Sequence, residues 1–452
     1  MARTRMIKMK VQLEQHKKLE LMKKYFSIAI LFFVGCSFLL VACSPSRNNE
    51  NEELARIAVS PTEGAGITPV AIPLDGVIFN TDNGRLALFD ASNPDREIPS
   101  QLEPGTIPKL WFMADHGGEA LELVLRQVTN EQEHEKEQKL DAAARFETTN
   151  QVTTILMHGK PVLSYYHAEA EVPQGVDPVF SRSAFIHPLW SPGGEVLTRI
   201  QPDDHYHHYG IWNPWTSTTV EGVGDIDFWN LGSRQGRVRF GGYLAKEGGP
   251  VYAGIKVRQE HIAYTGIDRE DELLAINELW DVRAWDTGLD DITIVDLSTT
   301  LNAALPGGIM LNQYRYGGGL GFRATQRWGR DNATVLTSEG KERDETDATM
   351  ARWCIIEGES DVIQGRSGVL FLSHPSNRMH PEPMRMWDSN SHDGIGNIFF
   401  EFTPIRHEGW ELEPDRSYTL KYRMIVFDGE MTAEEAERHW KAFAKAPGVS
   451  ID

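Results

Sequence analysis

The stretch LLAINELWDVRAW, residues 273–285, is typical of a strand in a large β-sheet. It contains Ile, Val and Trp, and its apolar and polar residues partly alternate, as expected where successive side chains point to opposite faces of a sheet. Two similar stretches flank it, VYAGIKVRQEHIAY at 251–264 and ITIVDLSTTLNAAL at 292–305. No helical pattern separates the three, so we predict an all-β chain whose antiparallel sheets pack face to face.

The same pattern divides the chain into two units. Short apolar runs such as RLALFD and KLWFMAD, split by Asn-Gly, Asn-Pro and Gly-Gly, predict a small β-sandwich over 66–128. A charged linker is predicted at 129–149, and a larger strand-rich unit at 150–448. One short helix is predicted near the C-terminus, where Thr432 and Glu435 form a capping box.

The N-terminus resembles a bacterial lipoprotein signal. The apolar run YFSIAILFFVGCSFLL is followed by the lipobox Leu40-Val41-Ala42-Cys43, and Met22 is the better start of this signal. We therefore expect 1–43 to be a signal region, Cys43 to carry lipid and 44–65 to be a polar tether. A plain transmembrane helix is the alternative. The lipoprotein interpretation places the protein in the cell envelope, at the periplasmic or the outer-membrane face.

The charge balance argues against two classes of partner. The chain has 45 Lys and Arg against 65 Asp and Glu, a formal net charge of −20 at pH 7. Such an acidic chain repels the phosphates of nucleic acids and of anionic lipid surfaces. We expect no nucleic-acid partner, and contact with a membrane only through the lipid anchor.

The stretch QPDDHYHHYGIWNPWT, residues 201–216, concentrates histidines. If it is extended, His205 and His207 point to one face and His208 to the other. Two imidazoles on one face, with a carboxylate nearby, would suit a divalent metal such as zinc, copper or iron. The alternatives are an acid/base site for a sugar and a polar turn without chemistry, and the residues alone leave all three open.

The carbohydrate interpretation rests on tryptophans and carboxylates close to the histidines. Trp212 and Trp215 could stack on sugar rings, and a histidine could move the proton. Glu221 or Asp227 would be the charge partner of that histidine, and an arginine would stabilise negative charge. The predicted catalytic residues are His205, His207, His208, Glu221, Asp227 and Arg182, with His205 and His207 as the candidate metal ligands.

Two further stretches predict binding loops. SHPSNRMHPEPMRMW, 373–387, is held out of regular structure by prolines and loaded with polar donors. NQYRYGGGLGFRA, 312–324, has tyrosines and arginines around a glycine run that could let a ligand approach closely. The predicted substrate-binding residues are His187, Trp212, Trp215, Tyr314, Tyr316, Arg323, Asn377, His380 and Arg385.

Four stretches together resemble a known bacterial family. They are RSAFIHPLWSPGGEVLTRIQPDDHYHHYGIWNPWT (182–216), DFWNLG (227–232), SNRMHPEP (376–383) and YTLKYRMIVFDG (418–429). The likeness is to the family labelled methane oxygenase PmoA family protein, a domain of unknown function common in bacteria that degrade polysaccharides. It covers most of 155–445 and implies a β-supersandwich similar to galactose mutarotase. The family pattern falls on Arg182, His187, His205, His207, His208, Asn377 and His380.

What the resemblance implies for function is action on carbohydrate rather than methane oxidation. The methane monooxygenase subunit of that name is an integral membrane protein, whereas this chain has no spanning segment beyond its signal. We expect a lipid-anchored lyase, hydrolase or epimerase that acts on a glycan or oligosaccharide; a lyase on uronic acids would need arginines or a cation to neutralise the carboxylate. A non-catalytic glycan-binding lipoprotein and a metal-dependent oxidase-like protein are the alternatives.

Overall fold

The computed structural model describes residues 51–452, with gaps at 62–63, 65, 116–118, 129–142 and 267–269. The predicted signal at 1–43, its lipobox Cys43 and most of the predicted linker at 129–149 lie outside the described residues. No helix in this described part of the chain is long and apolar enough to cross a membrane.

The described residues form twenty-nine strands and two α-helices. The first fourteen strands are β1 (Asn51–Val59), β2 (Thr68–Pro73), β3 (Arg85–Asp90), β4 (Asn93–Ile98), β5 (Ser100–Glu103), β6 (Lys109–Ala114), β7 (Leu121–Val128), β8 (Ala144–Thr148), β9 (Val152–Met157), β10 (Lys160–Tyr166), β11 (Phe185–Leu189), β12 (Ile211–Trp212), β13 (Thr218–Val220) and β14 (Gly224–Ile226). The others are β15 (Gly236–Glu247), β16 (Tyr252–Thr265), β17 (Asp271–Trp285), β18 (Ile292–Ala303), β19 (Ile309–Leu311), β20 (Gly321–Arg323), β21 (Ala333–Thr337), β22 (Met350–Ala351), β23 (Trp353–Glu359), β24 (Arg366–Ser373), β25 (Glu382–Met386), β26 (Phe399–Phe402), β27 (Trp410–Leu412), β28 (Tyr418–Asp428) and β29 (Val449–Ile451). The helices are α1 (Arg343–Thr346) and α2 (Ala433–Ala444), and 3-10 turns lie at Thr81–Asn83, Pro178–Phe180 and Leu231–Ser233.

The first part of the described chain and its last strand form a small β-sandwich. One sheet has the strand order β29-β1-β7-β3-β4, and the other has the order β2-β6-β5. Ile57, Ile72, Leu88 and Phe112 are buried between the two sheets. The short strands therefore share a hydrophobic core of their own, which confirms the predicted small N-terminal sandwich.

Two strands of this sandwich lie outside the predicted boundaries of 66–128. β1 occupies part of the segment predicted as a polar tether, and its Ala55, Ile57 and Val59 are buried at every second position. A segment with that alternation has an apolar face to bury, so it is a strand and not a free linker. β29 arrives from the C-terminus and pairs antiparallel with β1.

The larger unit is an antiparallel β-supersandwich, as predicted. One sheet has the order β15-β16-β17-β18-β28-β24-β23-β21, the second has β22-β25-β26-β20-β12-β11-β10-β9-β8, and a four-stranded sheet has β14-β13-β19-β27. Phe322 in β20 meets Phe371 in β24 with 4.9 Å between ring centroids, so the two large sheets share one core. Because β20 pairs with both β12 and β26, the ends of these three strands are neighbours.

A buried polar centre lies on the inner face of β17. Glu278 is fully buried; its Oε2 lies 2.6 Å from His261 Nε2, and its Oε1 accepts from Trp280 Nε1 and Thr299 Oγ1, each at 2.6 Å. Asn213 Nδ2 also donates to this carboxylate. Buried polar groups are stable only when they are hydrogen-bonded, so this centre fixes the chain directly after β12.

The small sandwich is joined to the supersandwich by a buried ion network. Arg283 in β17 donates to both oxygens of Glu103 in β5, at 3.0 and 2.7 Å, and Lys256 Nζ lies 2.7 Å from the same carboxylate. The Arg283 guanidinium also lies 5.2 Å from the ring of Trp111. Burial opposes ionisation of Glu103, but its bonds to Arg283 and Lys256 outweigh it and lower its pKa to about 2. Glu103 is therefore ionised, and its negative charge holds the two units together at their interface.

The C-terminal helix α2 has the predicted capping box. Thr432 Oγ1 accepts from the Glu435 backbone N–H at 3.2 Å, and the Glu435 carboxylate accepts from the Thr432 backbone N–H at 2.9 Å. The predicted apolar face packs on the supersandwich, where Ala436 is fully buried and Trp440 Nε1 donates to the Ser373 carbonyl at 3.0 Å.

Candidate functional site

The histidine-rich stretch is a closed loop and not an extended strand. The backbone N–H of Gln201 donates to the His208 carbonyl at 2.8 Å, and two successive turns lie between them. The three histidine rings therefore converge, with centroids 5.3 Å apart for His205 and His207, 4.8 Å for His205 and His208, and 5.0 Å for His207 and His208. The expectation that His208 would point away from the other two is wrong, because turns do not alternate side chains as strands do.

Asp204 is the anchor beneath these rings. The buried guanidinium of Arg323 donates to its Oδ2, and Asn397 Nδ2 donates to the same oxygen at 3.2 Å. Arg199 Nη2 lies 3.7 Å away, and His392 Nε2 lies 3.4 Å away. Burial opposes ionisation of Asp204, but its neighbours His205 and Arg323 outweigh it and hold its pKa below the usual range. Asp204 is therefore a fixed negative charge.

Asp204 and His205 also face each other directly. Asp204 Oδ1 lies 3.8 Å from His205 Nδ1, and neither atom has a hydrogen-bond partner among the described residues. A carboxylate opposite one ring nitrogen favours the tautomer with the proton on that nitrogen. The opposite nitrogen, Nε2, then keeps a lone pair that can accept a proton.

The two other histidines are electrically neutral at physiological pH. Burial, together with the charges of His205 and Arg323, lowers the pKa of His207 to about 3. Burial also lowers the pKa of His208 well below its ordinary value, and Arg323 adds to that shift. The site therefore presents uncharged imidazoles that can exchange protons or bind a ligand.

A cleft of about 350 Å³ opens above the histidines. His205 and His207 lie in its lining with the aromatic rings of Trp229, Tyr316 and Trp387. Tyr316 and Trp387 are partly exposed, and Trp229 Nε1 donates to the His207 carbonyl at 3.1 Å, which ties that ring to the histidine loop. Flat apolar rings beside proton-transfer groups suit a ligand that has both apolar faces and hydroxyl groups.

The sequence profile of the Family of unknown function (DUF6807) matches residues 152–441, which span the supersandwich and the whole cleft. The chain belongs to this family. The match supports the predicted domain of unknown function; the methane oxygenase label has no support in it. None of the curated proteins compared with the chain matches it.

Several solved structures are similar to this DUF6807 chain. One is a galactose mutarotase related enzyme from Lactobacillus acidophilus, 6% identical with a TM-score of 0.28, where the match covers 63% of this chain and 97% of that one. A putative aldose 1-epimerase from Escherichia coli K12 is 10% identical with a TM-score of 0.28 and coverage of 63% and 98%. The alpha-galactosidase from Lactobacillus brevis is 10% identical with a TM-score of 0.23 and coverage of 63% and 39%. These likenesses assign no activity to this chain.

The cleft of the DUF6807 domain brings together residues from the three stretches that the sequence singled out, 201–216, 312–324 and 373–387. His205, His207 and His208 come from the first, and Tyr316 and Arg385 come from the other two. Arg323 lies directly behind the histidines, where its guanidinium is 4.5 Å from the Trp387 ring. These six were predicted as site residues, and the fold places them within one region.

Other predicted catalytic residues lie elsewhere. Glu221 is in the exposed turn between β13 and β14, beside Gly307. Asp227 accepts from the backbone N–H groups of Trp229 and Asn230 at 2.9 and 2.8 Å, so it shapes the loop that carries Trp229. Neither of these two predicted charge partners is among the residues that line the cleft.

Arg182 is also absent from the cleft. It is fully buried, donates to the Ser183 carbonyl at 3.1 Å and lies 5.5 Å from the Tyr209 ring. Burial lowers its pKa to about 10, so it remains charged at neutral pH. Because the guanidinium is enclosed in the interior, it cannot stabilise charge on a substrate in the cleft.

Trp212 and Trp215, which were predicted to stack on sugar rings, do not line the cleft; other aromatic rings do. Trp212 is fully buried beneath His208, with 5.2 Å between ring centroids. Trp215 is buried against Gly318, where a Cβ would lie 2.0 Å from the indole and the backbone φ is +89°. The glycine run therefore admits Trp215 into the core rather than a ligand.

The remaining predicted binding residues do not line the cleft. Burial lowers the pKa of His187 to about 4, and its Nδ1 lies 2.9 Å from Thr198 Oγ1. Tyr314 packs on the outer side of Tyr316, with ring centroids 4.8 Å apart. Asn377 donates to buried Glu382 at 2.9 Å, and His380 stacks on Trp440 of α2 at 6.0 Å, so the proline-rich loop is mainly structural at these positions.

Residues that sequence reasoning missed complete the site. Asp204 lies inside the histidine stretch, but adjacent residues of an extended segment point apart, so it was not paired with His205. Trp387 is the last residue of the proline-rich stretch and His392 follows it, with the ring centroids of His392 and His205 5.4 Å apart. Arg315 stands between two tyrosines in the glycine-rich stretch, and it is not among the predicted binding residues. The sequence offers two local signals for these residues: an Asp directly before His205, and a His that follows Trp387 by five residues.

Among the described residues, two sets of side chains could hold a metal ion. The potential ligand atoms of His205, His207 and His208 lie within 4.8 Å of one another, and so do those of Asp204, His205 and His392. In the first set, Arg323 Nη1 lies 3.4 Å from His208 Nδ1. A guanidinium only donates, so this nitrogen is the unprotonated one and Nε2 carries the proton. The set with Asp204 fits a metal better, because a carboxylate and two imidazoles can act together.

Proposed function

We propose that this DUF6807 chain is a lipid-anchored envelope protein that acts on carbohydrate in the histidine cleft, as a lyase, hydrolase or epimerase. The observation that carries the proposal is the pairing of Asp204 with His205 beside neutral His207, at the foot of a cleft walled by Trp229 and Trp387. A pyranose offers apolar C–H faces to such rings and hydroxyl groups to the histidines. The lipid anchor at Cys43 is proposed from the sequence signal.

In the proposed reaction His205 exchanges the proton. Asp204 lies 3.8 Å from Nδ1 and favours the proton there, so Nε2 takes a proton from the saccharide and Asp204 stabilises the imidazolium that forms. Neutral His207 hydrogen-bonds the reacting sugar, and Arg385 stabilises negative charge as it develops. Arg323 and Asn397 keep Asp204 in place, so the orientation of His205 exists before the substrate binds.

The test is turnover by the purified full-length chain on a panel of plant, algal and bacterial polysaccharides, scored for new reducing ends, unsaturated products and epimerised sugars. We expect His205→Ala to abolish turnover and to leave saccharide binding within about threefold. His158→Ala is the matched control, because His158 is an exposed histidine in the β9–β10 hairpin. Equal activity of the His205 variant and the control would remove the proposed mechanism.

A metal-dependent, oxidase-like activity is the second candidate. It is supported by the ligand atoms of Asp204, His205 and His392, which lie within 4.8 Å of one another. Inductively coupled plasma mass spectrometry on protein purified without chelator tests it. Near-stoichiometric copper or iron that His392→Gln removes would favour this candidate, whereas zinc, which has no redox chemistry, would not.

A non-catalytic glycan-binding role is the third candidate, and the partly exposed ring of Trp387 supports it. In that case Trp387→Ala would weaken binding of a saccharide, and the histidine variants would leave binding unchanged. No saccharide would be converted by any variant. The comparison of binding with turnover in the same set of variants therefore separates the binder from the enzyme.

A further inference from the structure

The cleft is positively charged although the chain as a whole is acidic. Arg315 and Arg385 lie in its lining, and no Asp or Glu is among the described residues that line it. The chain has 65 acidic residues against 45 basic ones. A cleft lining that contains arginines and no carboxylates therefore differs in charge from the chain as a whole. A cleft of one charge sign concentrates ligands of the opposite sign.

Behind the wall, each carboxylate is shared between two arginines. Asp347 lies 3.0 Å from Arg385 Nη1 and 3.1 Å from Arg406 Nη2. Asp204 is shared in the same way between a direct bond from Arg323 and the more distant Arg199, at 3.7 Å. The group of Asp347, Arg385 and Arg406 therefore has one more positive than negative charge, whereas Arg199 and Arg323 also interact with the charge of Asp203.

Glu401 does not supply the missing negative charge. It lies directly opposite Arg385 in the β25–β26 pair and is fully buried. Burial raises its pKa well above the ordinary value, and the backbone N–H of Gly317 and the nearby arginines only reduce that shift. Burial therefore favours the neutral form of this carboxyl group, which leaves more of the charge of Arg385 available.

Arg315 is the most accessible cation of the cleft. Its side chain is exposed, its guanidinium lies 5.1 Å from the ring of Tyr316, and no acidic residue of the described chain pairs with it. Arg406 Nη1 donates to the Arg315 carbonyl at 2.8 Å, so the backbone at this position is held in place. A guanidinium on an aromatic ring and a fixed backbone can receive an anion with little loss of conformational freedom.

We infer that the cleft takes an anionic saccharide, whose ring carries a carboxylate or a sulfate group, with the anion on Arg315 and Arg385. Tyr316 and Trp387 contact the apolar faces of the same ring. This inference rests on the proposed function, because it takes the ligand to be a saccharide. It adds the charge of the substrate, which the histidines and the aromatic walls do not specify.

Isothermal titration calorimetry on the full-length chain at pH 7 tests the inference with pairs of ligands that differ only in charge. One arm compares galacturonate and mannuronate trimers with the same trimers after carboxyl reduction. The other arm compares a sulfated galactose oligosaccharide with its desulfated form. We expect the charged member of at least one pair to bind about tenfold more tightly, because a charge-assisted hydrogen bond strengthens binding by that order. Added salt should reduce the difference.

Arg315→Gln is the decisive variant and Arg416→Gln is its matched control, because Arg416 is exposed and its guanidinium also lies near a tyrosine ring, 6.0 Å from Tyr418. We expect Arg315→Gln to remove most of the preference for the charged ligand and to leave binding of the neutral one unchanged. Arg416→Gln should bind both as the parent chain does. Equal binding of charged and neutral partners would overturn the inference and leave the proposed function standing. Failure to bind any saccharide would overturn both.

Discussion

Asp204 Oδ1 and His205 Nδ1 face each other across 3.8 Å, and neither atom has another hydrogen-bond partner in the described part of the chain. The two residues are adjacent in sequence, yet tight turns bring their side chains to the same side. The carboxylate is held from behind by Arg323 and Asn397. A fixed charge therefore sits at one nitrogen of the imidazole while the ring itself borders the cleft.

The first prediction is that Asp204 and His205 act as one unit. Asp204→Asn should lower kcat by about 100-fold, because the amide no longer stabilises the imidazolium, and it should change KM little. The double variant Asp204→Asn/His205→Gln should be no slower than His205→Gln alone. Losses that add up in the double variant would show that the two residues act independently.

The second prediction concerns the protonation of His207, whose pKa is lowered to about 3 by burial. Its imidazole signals in a two-dimensional nitrogen–proton NMR spectrum should stay constant from pH 8 to pH 5, with His207→Gln to assign them. The folded chain takes up no proton there while the unfolded chain does below about pH 6.5, so this residue makes folding less favourable as the pH falls. A midpoint near pH 6 would contradict the neutral state assigned to this residue.

The third prediction concerns Glu382, whose protonated form is favoured by burial in the folded chain. Its carboxyl group accepts from Tyr422 and Asn377, each at 2.9 Å, but burial outweighs these bonds and raises its pKa to about 7. Between pH 4.5 and 7 the unfolded chain loses this proton and the folded chain keeps it, so its contribution to stability falls by about 3 kcal/mol as the pH rises.

Glu382→Gln should remove that dependence, because the amide keeps the shape without the titration. Urea unfolding at pH 5 and at pH 7 gives the two free energies of unfolding. Glu430→Gln, at an exposed position before α2, is the control and should follow the parent chain at both pH values. A variant with the pH dependence of the parent would mean that Glu382 is already ionised at pH 5.

The fourth prediction concerns the interface between the two β units. Arg283→Ala should lower the free energy of unfolding by about 3 kcal/mol, because it leaves Glu103 with a reduced set of partners in a buried place. The change should also raise hydrogen exchange in β5 and β6, which carry the other side of the interface. Arg416→Ala, at the surface, should change stability by less than about 0.5 kcal/mol. Unchanged exchange in β5 and β6 would show that other contacts hold the interface.

The fold was readable from the sequence where side chains alternate. In β17, Glu278 and Trp280 are buried and Leu279 and Asp281 are less so, which is the periodicity of a strand with one face in the core. β1 was not predicted, because its alternating apolar residues, which begin at Ala55, directly follow a polar segment. Its pairing with β29 involves residues at opposite ends of the chain, which local patterns do not predict.

The candidate site could be predicted from the sequence only in part, for a different reason. The histidines are neighbours in sequence, so their clustering was evident. Trp387 and His392 reach them because β20 pairs with β12 on one side and β26 on the other, and strand order in a sheet is set by the whole core. Trp212 and Trp215 are of the same residue type as Trp387 of the site, but their side chains are buried in the core.

The pairing of β29 with β1 has a consequence for biosynthesis. Most of the small sandwich is translated before the supersandwich, but one edge of its larger sheet stays open until β29, Val449 to Ile451, has been made. During that interval the backbone of β1 has unpaired groups on one side, which other chains can recognise. The larger sheet of the small sandwich is therefore completed only after the supersandwich strands, which lie between β1 and β29 in the sequence, have been synthesised.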